Sequence, residues 1–133
     1  MKGLRALVVD DEPGARDCFV RMLRYQGCEV QAAKNAEEAF AALHNASRFD
    51  VVLVDLVMPG MGGLRVIREM RAVDFGLRFV VVSGKLISPA ERAELASLDV
   101  CFCAKPFRNE ELSQAVRDMA RRQARPEVAH ALA

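Results

Sequence analysis

Five polar side chains that could do chemistry stand at or just after the ends of short apolar runs: Asp10, Asp11, Asp55, Ser83 and Lys105. The run before Asp55 is Val51-Val-Leu-Val54, and the other runs are similar in length and composition. Such runs are typical of strands buried on both faces of a parallel sheet. Because parallel strands end at the same edge of a sheet, we expect all five side chains to surround one cleft.

Three carboxylates in one cleft require compensating positive charge. Two like charges ~4 Å apart repel by about 4 kcal/mol at an effective dielectric constant of about 20, whereas a whole domain is stable by only about 5–15 kcal/mol. Lys105 supplies one positive charge, and a hard divalent cation with oxygen ligands, Mg²⁺ with Mn²⁺ as a substitute, would supply the rest. Taken singly, each residue has a simpler interpretation: Asp10 or Asp11 as a helix cap, Ser83 as a turn residue, and Lys105 as a solvated strand end.

Asp55 stands alone at the end of a predicted central strand, which makes it the natural nucleophile of this group. A carboxylate can attack phosphorus and form an acyl phosphate. Phosphoryl transfer requires neutralisation of the phosphoryl oxygens, and the cation, Lys105 and the Ser83 hydroxyl could take one oxygen each. The residues therefore predict Mg²⁺-dependent phosphoryl transfer to Asp55.

Strand-like and helix-like segments alternate five times along the chain, which predicts an α/β fold with a parallel sheet. The second strand is half polar, as expected of an edge strand. We therefore predict a flavodoxin-like, doubly wound (βα)5 fold with a five-stranded parallel sheet of order 2-1-3-4-5. The predicted strands are Leu4–Val9, Glu29–Ala33, Val51–Asp55, Phe79–Val82 and Val100–Ala104. Helices are predicted from Pro13 to just before Gly27, from Asn35, from about Leu64 to Ala72, from just after Ser88 to about Ser97, and from about Asn109.

A chain of 133 residues is long enough for one domain with a single core. We predict a domain over residues 1–122 and a C-terminal tail, or the start of a linker, over residues 123–133. The net charge of +1 gives no electrostatic reason to expect direct nucleic-acid binding or a membrane surface. No apolar run approaches the ~20 residues needed to span a bilayer, and the first residues lack a signal-peptide pattern. A cytoplasmic location is expected.

The cysteines are Cys18, Cys28, Cys101 and Cys103, and none forms a C-x-x-C pattern. Neither histidine lies near them in sequence, which disfavours a zinc site. Cys101 and Cys103 are two residues apart, so their side chains share one face of the predicted fifth strand. We expect small buried thiols in a reducing cytosol.

Four sequence elements together resemble a known family: Asp10-Asp11, Asp55-Leu-Val-Met-Pro-Gly-Met-Gly-Gly63, Ser83-Gly84 and Lys105-Pro106. From Leu4 to about Ala120, the chain is similar to the receiver domain of bacterial two-component response regulators. The resemblance implies that Asp55 accepts a phosphoryl group from a phosphohistidine of a sensor histidine kinase or of a histidine phosphotransfer protein.

The resemblance also implies roles for the neighbouring residues. Asp10, Asp11, Asp55 and the backbone carbonyl of Val57 would hold Mg²⁺. Lys105 would contact the phosphoryl group, and the Lys105–Pro106 peptide bond is expected to be cis.

In this family a hydroxyl residue is coupled to an aromatic residue three positions before the lysine, and these are Ser83 and Phe102 here. Phosphorylation would draw Ser83 toward the phosphoryl oxygens and turn Phe102 inward, which changes the face made by helix 4, strand 5 and helix 5. The simpler interpretation of Phe102 is a core or edge aromatic residue without a switching role.

Val57 and Lys85 occupy positions that vary in the family and tune the lifetime of the acyl phosphate. Val57 has no polar group to orient a water molecule, and Lys85 places a cation near the cleft. We expect slow hydrolysis, unless both are ordinary surface positions.

The resemblance implies a signalling domain rather than an enzyme, with only self-catalysed phosphoryl transfer and slow autodephosphorylation. Its partners would be the phosphodonor and an effector domain or output protein, and the chain would be a monomer or a phosphorylation-dependent dimer. A phosphorelay shuttle and a docking receiver that works without phosphorylation are the alternatives.

Two other classes of protein fit the sequence less well. A Mg²⁺-dependent aspartyl-phosphate phosphohydrolase would carry a D-x-D element where this chain has adjacent acids, Asp10-Asp11. A flavodoxin-like cofactor binder would need a phosphate-cradling first loop, but the loop Asp10-Asp-Glu-Pro13 would repel phosphate.

Overall fold

A computed structural model describes residues 2–45, 48–58, 62–74, 76–84 and 87–121. The predicted tail, residues 123–133, lies outside the described residues. The elements are β1 (Arg5–Val9), α1 (Pro13–Tyr25), β2 (Glu29–Ala33), α2 (Ala36–Asn45), β3 (Val51–Asp55), α3 (Gly63–Val73), β4 (Phe79–Ser83), α4 (Pro89–Ser97), β5 (Cys101–Ala104) and α5 (Asn109–Arg121). Across the part of the chain described, no helix has both the length and the apolar character that a membrane crossing requires.

The five strands form one parallel sheet in the order β2-β1-β3-β4-β5, which confirms the predicted fold class and strand order. The central strands β3 and β4 are almost wholly buried, whereas β2 is mostly exposed. The half-polar composition of β2 therefore marked an edge strand correctly. The opposite edge is β5.

The helices cover both faces of the sheet, and alternate strand residues feed two separate cores. Leu7 and Val9 belong to the core under α2, α3 and α4, together with Ile67 and Met70. Ala6 and Val8 point to the other core, under α1 and α5. This alternation follows from the two-residue period of strand side chains.

Local sequence signals set most helix ends where they were predicted. Pro13 occupies the first turn of α1, where its missing N–H costs nothing. Gly27 follows α1 with φ +97°, a conformation that glycine adopts without strain. Ser88 and Glu91 form a reciprocal capping box at the start of α4.

The prediction of buried cysteines is correct for Cys28 alone. Cys101 and Cys103 are half-buried, because β5 is an edge strand, and Cys18 is exposed on α1. The prediction of a shared face for Cys101 and Cys103 is confirmed: both pack toward the core under α1 and α5, while Phe102 packs toward the other core.

Candidate functional site

The acid cluster lies at the carboxyl edge of the sheet, where β1 and β3 end side by side. Val9 is paired with Val54, so the residues that follow them, Asp10 and Asp55, are neighbours. One carboxylate oxygen from each of Asp10, Asp11 and Asp55 lies within 4.8 Å of the others. The structure thus brings together the three acids that the sequence singled out.

Asp10 is almost completely buried and takes part in three hydrogen bonds. Its N–H donates to the carbonyl of Ala33 at 3.1 Å, and its Oδ1 accepts from the N–H of Glu12 at 2.9 Å. Its carbonyl accepts from Nη1 of Arg16 at 3.0 Å. These bonds fix the orientation of the side chain and leave its other oxygen, Oδ2, buried without a hydrogen-bond partner.

The pKa of Asp10 is raised above its ordinary value of 3.8, first by burial and then by the charges of Asp55 and Asp11. The N–H of Glu12 and the charge of Lys105 act in the opposite direction and lower the pKa. The pKa is raised chiefly because burial disfavours the charged carboxylate, and a further positive charge beside Asp10 would lower it.

Two residues near the acids were missed by sequence reasoning. Glu12 looks like a third acid in the Asp10-Asp-Glu12 run, but its carboxylate caps α1 by accepting from the N–H of Ala15 at 2.6 Å. That bond lowers the pKa of Glu12. Arg16, one turn into α1, is half-buried and donates a hydrogen bond to the Asp10 carbonyl. The sequence feature that could have indicated this contact is the position of Arg16 in the first turns of the helix that follows the acid pair.

Asp55 ends β3 and is half-buried. Its Oδ1 accepts from the N–H of Val57 at 3.0 Å, which orients the carboxylate toward the cleft. Val57 as a whole residue is 47% exposed. Pro59, Gly60 and Met61, part of the predicted Gly/Pro loop, lie outside the described residues.

The start of α3 packs closely against the end of β3. The Gly63 N–H donates to the carbonyl of Leu56 at 3.0 Å. A Cβ on Gly63 would lie 2.6 Å from the Cα of Leu56 and 2.7 Å from the carbonyl oxygen of Asp55. Glycine is therefore required here by close packing, and the glycine-rich segment positions Asp55 through this contact.

Ser83 is the last residue of β4, Lys105 directly follows β5, and both lie at the sheet edge that carries the acids. Ser83 is 1% exposed, and its carbonyl accepts from the Lys105 N–H at 2.8 Å. The Lys105 Nζ lies 5.9 Å from the centroid of the Phe19 ring, and Phe19 in turn stacks on Phe107 at 6.4 Å between centroids. The Lys105–Pro106 peptide bond is cis.

Phe102 lies on β5 opposite Val81 and is half-buried against the core under α4. It is therefore one strand away from Ser83, at the margin of the cleft. Lys85 lies outside the described residues.

The donor set fits a hard divalent cation. Three carboxylates offer oxygen ligands at short separations, and Asp10 Oδ2 is a buried acceptor that no protein donor satisfies. Mg²⁺ and similar ions prefer oxygen ligands. Within the residues that the structure describes, this is the one group of three or more histidine, cysteine or carboxylate side chains so arranged.

Comparison with known proteins identifies the family to which this site belongs. Residues 6–117 match the sequence profile of the response regulator receiver domain. The chain belongs to this family. It is a receiver domain of two-component signalling systems, as the acid pair, Asp55, Ser83 and Lys105 indicated.

The chain spans about half the length of two response regulators that it matches and a small part of a sensor kinase. Response regulator MprA of Mycobacterium sp. (strain KMS) is 35% identical over 122 residues, which cover 90% of this chain and 51% of MprA. DNA-binding response regulator MtrA of Mycolicibacterium smegmatis is 35% identical over 118 residues, covering 89% of this chain and 51% of MtrA. Sensor kinase CckA of Brucella abortus is 32% identical, covering 88% of this chain and 12% of CckA.

Solved structures of receiver proteins have the same fold. A response regulator receiver protein from Pseudomonas putida aligns with a TM-score of 0.81 and 32% identity, covering 86% of this chain and 96% of that protein. Response regulator TrrA from Thermotoga maritima, solved in complex with Mg²⁺–BeF, aligns with a TM-score of 0.74 and 32% identity, covering 90% of this chain and 99% of TrrA.

Proposed function

We propose that this receiver domain accepts a phosphoryl group on Asp55 from a phosphohistidine of a sensor kinase or histidine phosphotransfer protein, in a reaction that depends on Mg²⁺. The observation that carries the proposal is the acid cluster: three carboxylate oxygens lie within 4.8 Å of one another, beside the buried, unpartnered Oδ2 of Asp10. The TrrA receiver, 32% identical, was solved with Mg²⁺–BeF, which supports the choice of ion.

The ligands of the ion would be Asp10, Asp11, Asp55 and the backbone carbonyl of Val57, with Mn²⁺ as a substitute for Mg²⁺. When bound, the ion supplies the positive charge that the carboxylates lack and neutralises a phosphoryl oxygen. Asp10 is oriented for this role before the ion arrives, because its backbone and Oδ1 are already held by Ala33, Arg16 and Glu12.

The protein groups perform the transfer by position and charge. A carboxylate oxygen of Asp55 attacks phosphorus, the P–N bond of the phosphohistidine breaks, and its electron pair returns to the imidazole nitrogen. The Lys105 ammonium and the Ser83 hydroxyl stabilise the negative charge on the phosphoryl oxygens. Lys105 lowers the pKa of Asp10, which places its charge within electrostatic reach of the acids.

Phosphorylation would then be transmitted through Ser83 and Phe102. Ser83 is buried at the end of β4, and β5 lies alongside with Ser83 opposite Ala104. A shift of the Ser83 hydroxyl toward the phosphoryl group opens space that Phe102, half-buried two residues earlier on β5, can enter. The result is a changed face formed by α4, β5 and α5, which an output domain or protein would recognise.

The test uses acetyl phosphate as phosphodonor, with Mg²⁺ or with EDTA. We expect the intact mass to rise by one phosphoryl group only with Mg²⁺, and only when Asp55 is present. Asp55→Ala is compared with Asp17→Ala, a matched loss of an exposed aspartate on α1. Phosphorylation of Asp55→Ala at the wild-type level would overturn the assignment.

The whole protein's role is a further proposal, because the chain spans about half the length of the curated relatives that it matches. A phosphoacceptor without enzymatic turnover, working in the cytoplasm with a histidine kinase or phosphotransfer protein, fits the receiver family. The remaining alternatives are a phosphorelay shuttle and a phosphorylation-independent docking receiver. Monomer and phosphorylation-dependent dimer remain predictions.

A further inference from the structure

The side chain of Lys105 extends from the end of β5 toward α1. A Cβ added to Gly84, the residue after β4, would lie 3.6 Å from Cδ of Lys105, so the lysine stem passes the end of β4. Beyond the stem, Nζ lies 5.9 Å from the centroid of the Phe19 ring on α1. The positive charge of Lys105 acts on the carboxylates of Asp10 and Glu12. The ammonium therefore lies beside the cleft and against the Phe19 ring at the same time.

The Phe19 ring is itself fixed by packing. Phe19 is 8% exposed and belongs to the core under α1 and α5. Its ring stacks on Phe107, with 26° between the two planes, and Phe107 packs against the same core. Because Phe107 is two residues after Lys105, both ends of this short segment contact one ring. A ring whose rotamer is set by its neighbours can hold a mobile group in a defined place.

The Lys105 side chain needs such a support, because little else restrains its ammonium. Lys105 is exposed, and in the part of the chain that the structure describes it takes part in no ion pair. A lysine has many rotamers, and fixing one of them costs conformational entropy. The negative face of an aromatic ring attracts a cation that lies within about 6 Å of its centroid. The Phe19 ring thus limits the ammonium to positions beside the acids before a phosphoryl group arrives.

Phe19 has two other interpretations, which predict different behaviour. As a core residue alone, Phe19 would need only apolar volume, and a leucine would serve nearly as well. If the ring drew the ammonium out of the cleft, its loss would speed the reaction. The second interpretation is disfavoured, because the charge of Lys105 acts on Asp10 while the ammonium lies over the ring.

We propose that Phe19 is a positioning residue for phosphoryl transfer, whose ring holds the Lys105 ammonium at the cleft for contact with the oxygens of the incoming phosphoryl group. Phe19 acts through Lys105 and does not itself touch the reacting atoms. The inference rests on the proposed transfer to Asp55. Loss of the ring should slow phosphorylation by about two- to fivefold, the factor that corresponds to a cation–π contact of an exposed lysine.

The test compares Phe19→Leu, which is apolar but has no ring, with Phe19→Tyr, which keeps one. The initial rate of phosphorylation by acetyl phosphate at saturating Mg²⁺ is measured from the intact mass of acid-quenched samples. We expect Phe19→Leu to be slower by the factor above and Phe19→Tyr to react at nearly the wild-type rate. The Mg²⁺ affinity of both variants, measured by calorimetry, should stay at the wild-type value, because the ring acts on the lysine rather than on the carboxylates.

Phe49→Leu is the matched control for loss of a buried ring. Phe49 is 4% exposed and also lies under a cation, since its centroid is 5.4 Å from Cζ of Arg5. It precedes β3, whose other end carries Asp55. Equal rates in Phe19→Leu and Phe49→Leu would overturn the proposal, and so would a faster rate in Phe19→Leu or an equal loss in Phe19→Tyr.

NMR of the wild-type protein gives a readout that depends neither on the folding of the variants nor on phosphorylation. Protons above an aromatic ring are shielded, so the ε-methylene protons of Lys105, assigned by their loss in Lys105→Met, should resonate upfield of those of Lys34, whose ammonium lies 4.0 Å from Glu38. Equal shifts would overturn the proposal. Failure of the wild type to take up a phosphoryl group would overturn the proposed transfer to Asp55 and the role of Phe19 with it, whereas normal uptake by Phe19→Leu overturns the role of Phe19 alone.

Discussion

Replacement of Gly63 by alanine tests whether the close contact between β3 and α3 positions the acid cluster. The added Cβ would lie 2.6 Å from the Cα of Leu56 and 2.7 Å from the carbonyl oxygen of Asp55. Carbon atoms in contact prefer separations of about 3.5–4.0 Å. The start of α3 must therefore move away from the end of β3 by roughly 1 Å.

The cost of Gly63→Ala follows from three contributions. Overpacking costs about 1–3 kcal/mol. Stretching the hydrogen bond from the Gly63 N–H to the Leu56 carbonyl, now 3.0 Å, costs up to about 1 kcal/mol. The better helix propensity of alanine returns at most about 1 kcal/mol. We therefore expect the free energy of unfolding to fall by about 2–3 kcal/mol, which lowers the melting temperature by about 10 °C for a domain of this size.

Urea denaturation and isothermal titration with Mg²⁺ measure the two consequences. Displacement of the start of α3 should weaken Mg²⁺ binding as well as stability, because the contact of Gly63 with Asp55 and Leu56 helps to position the end of β3. Gly76→Ala is the matched control, since the nearest atom to its added Cβ is Asp74 Oδ1 at 3.6 Å, and we expect a change within about 0.5 kcal/mol. Wild-type stability and Mg²⁺ affinity in Gly63→Ala would refute the packing argument. A loss equal to that of Gly76→Ala would do the same.

Three further predictions concern the acids and their surroundings. In EDTA at neutral pH, Asp10→Asn should raise the free energy of unfolding, because the raised pKa of Asp10 means that ionisation of this carboxyl destabilises the fold as pH rises from 3.8 upward. Urea denaturation should show this gain in stability disappear below pH 3.8, and a gain at all pH values would contradict ionisation of Asp10 as its cause. Arg16→Met should weaken Mg²⁺ binding by about 10-fold, because the Asp10 carbonyl loses the hydrogen bond from Arg16. Calorimetry compares this variant with Arg92→Met, which changes an exposed residue of α4, and equal Mg²⁺ affinities of the two variants would exclude a positioning role for Arg16. Acyl-phosphate hydrolysis should be slow in the wild type and faster in Val57→Asn and in Lys85→Glu, measured as loss of the phosphoryl mass after donor removal; unchanged rates would mean that neither position tunes the lifetime.

The strand order and the site were predictable because they depend on short-range patterns. The half-polar segment Glu29–Ala33 marked an edge strand, and that assignment fixed the order 2-1-3-4-5. Once the order was known, the residues after the apolar runs had to meet at one edge. Asp10 and Asp55 therefore came together without knowledge of any tertiary contact.

The features that could not be predicted depend on which groups meet once the backbone has folded, even where those groups are close in sequence. Glu12 has the same charge as its neighbours in the acidic run, and only its bond to the Ala15 N–H separates a helix cap from a ligand. The need for glycine at position 63 arises from the backbone of Leu56, seven residues earlier. The exposure of Cys18, like the partial exposure of Cys101, follows from how helices and the edge strand lie in the fold.

The hydrogen bond from the Val57 N–H to Asp55 Oδ1, 3.0 Å long, has a regiochemical consequence. The two oxygens of a free aspartate are equivalent by symmetry, and this one donor makes them different. In the proposed reaction Oδ2 is the oxygen that bonds to phosphorus, while Oδ1 becomes the carbonyl oxygen of the mixed anhydride and keeps the same N–H. The Val57 N–H thus determines which oxygen of Asp55 is presented to the phosphodonor, so the carboxylate does not need to rotate before the bond to phosphorus forms.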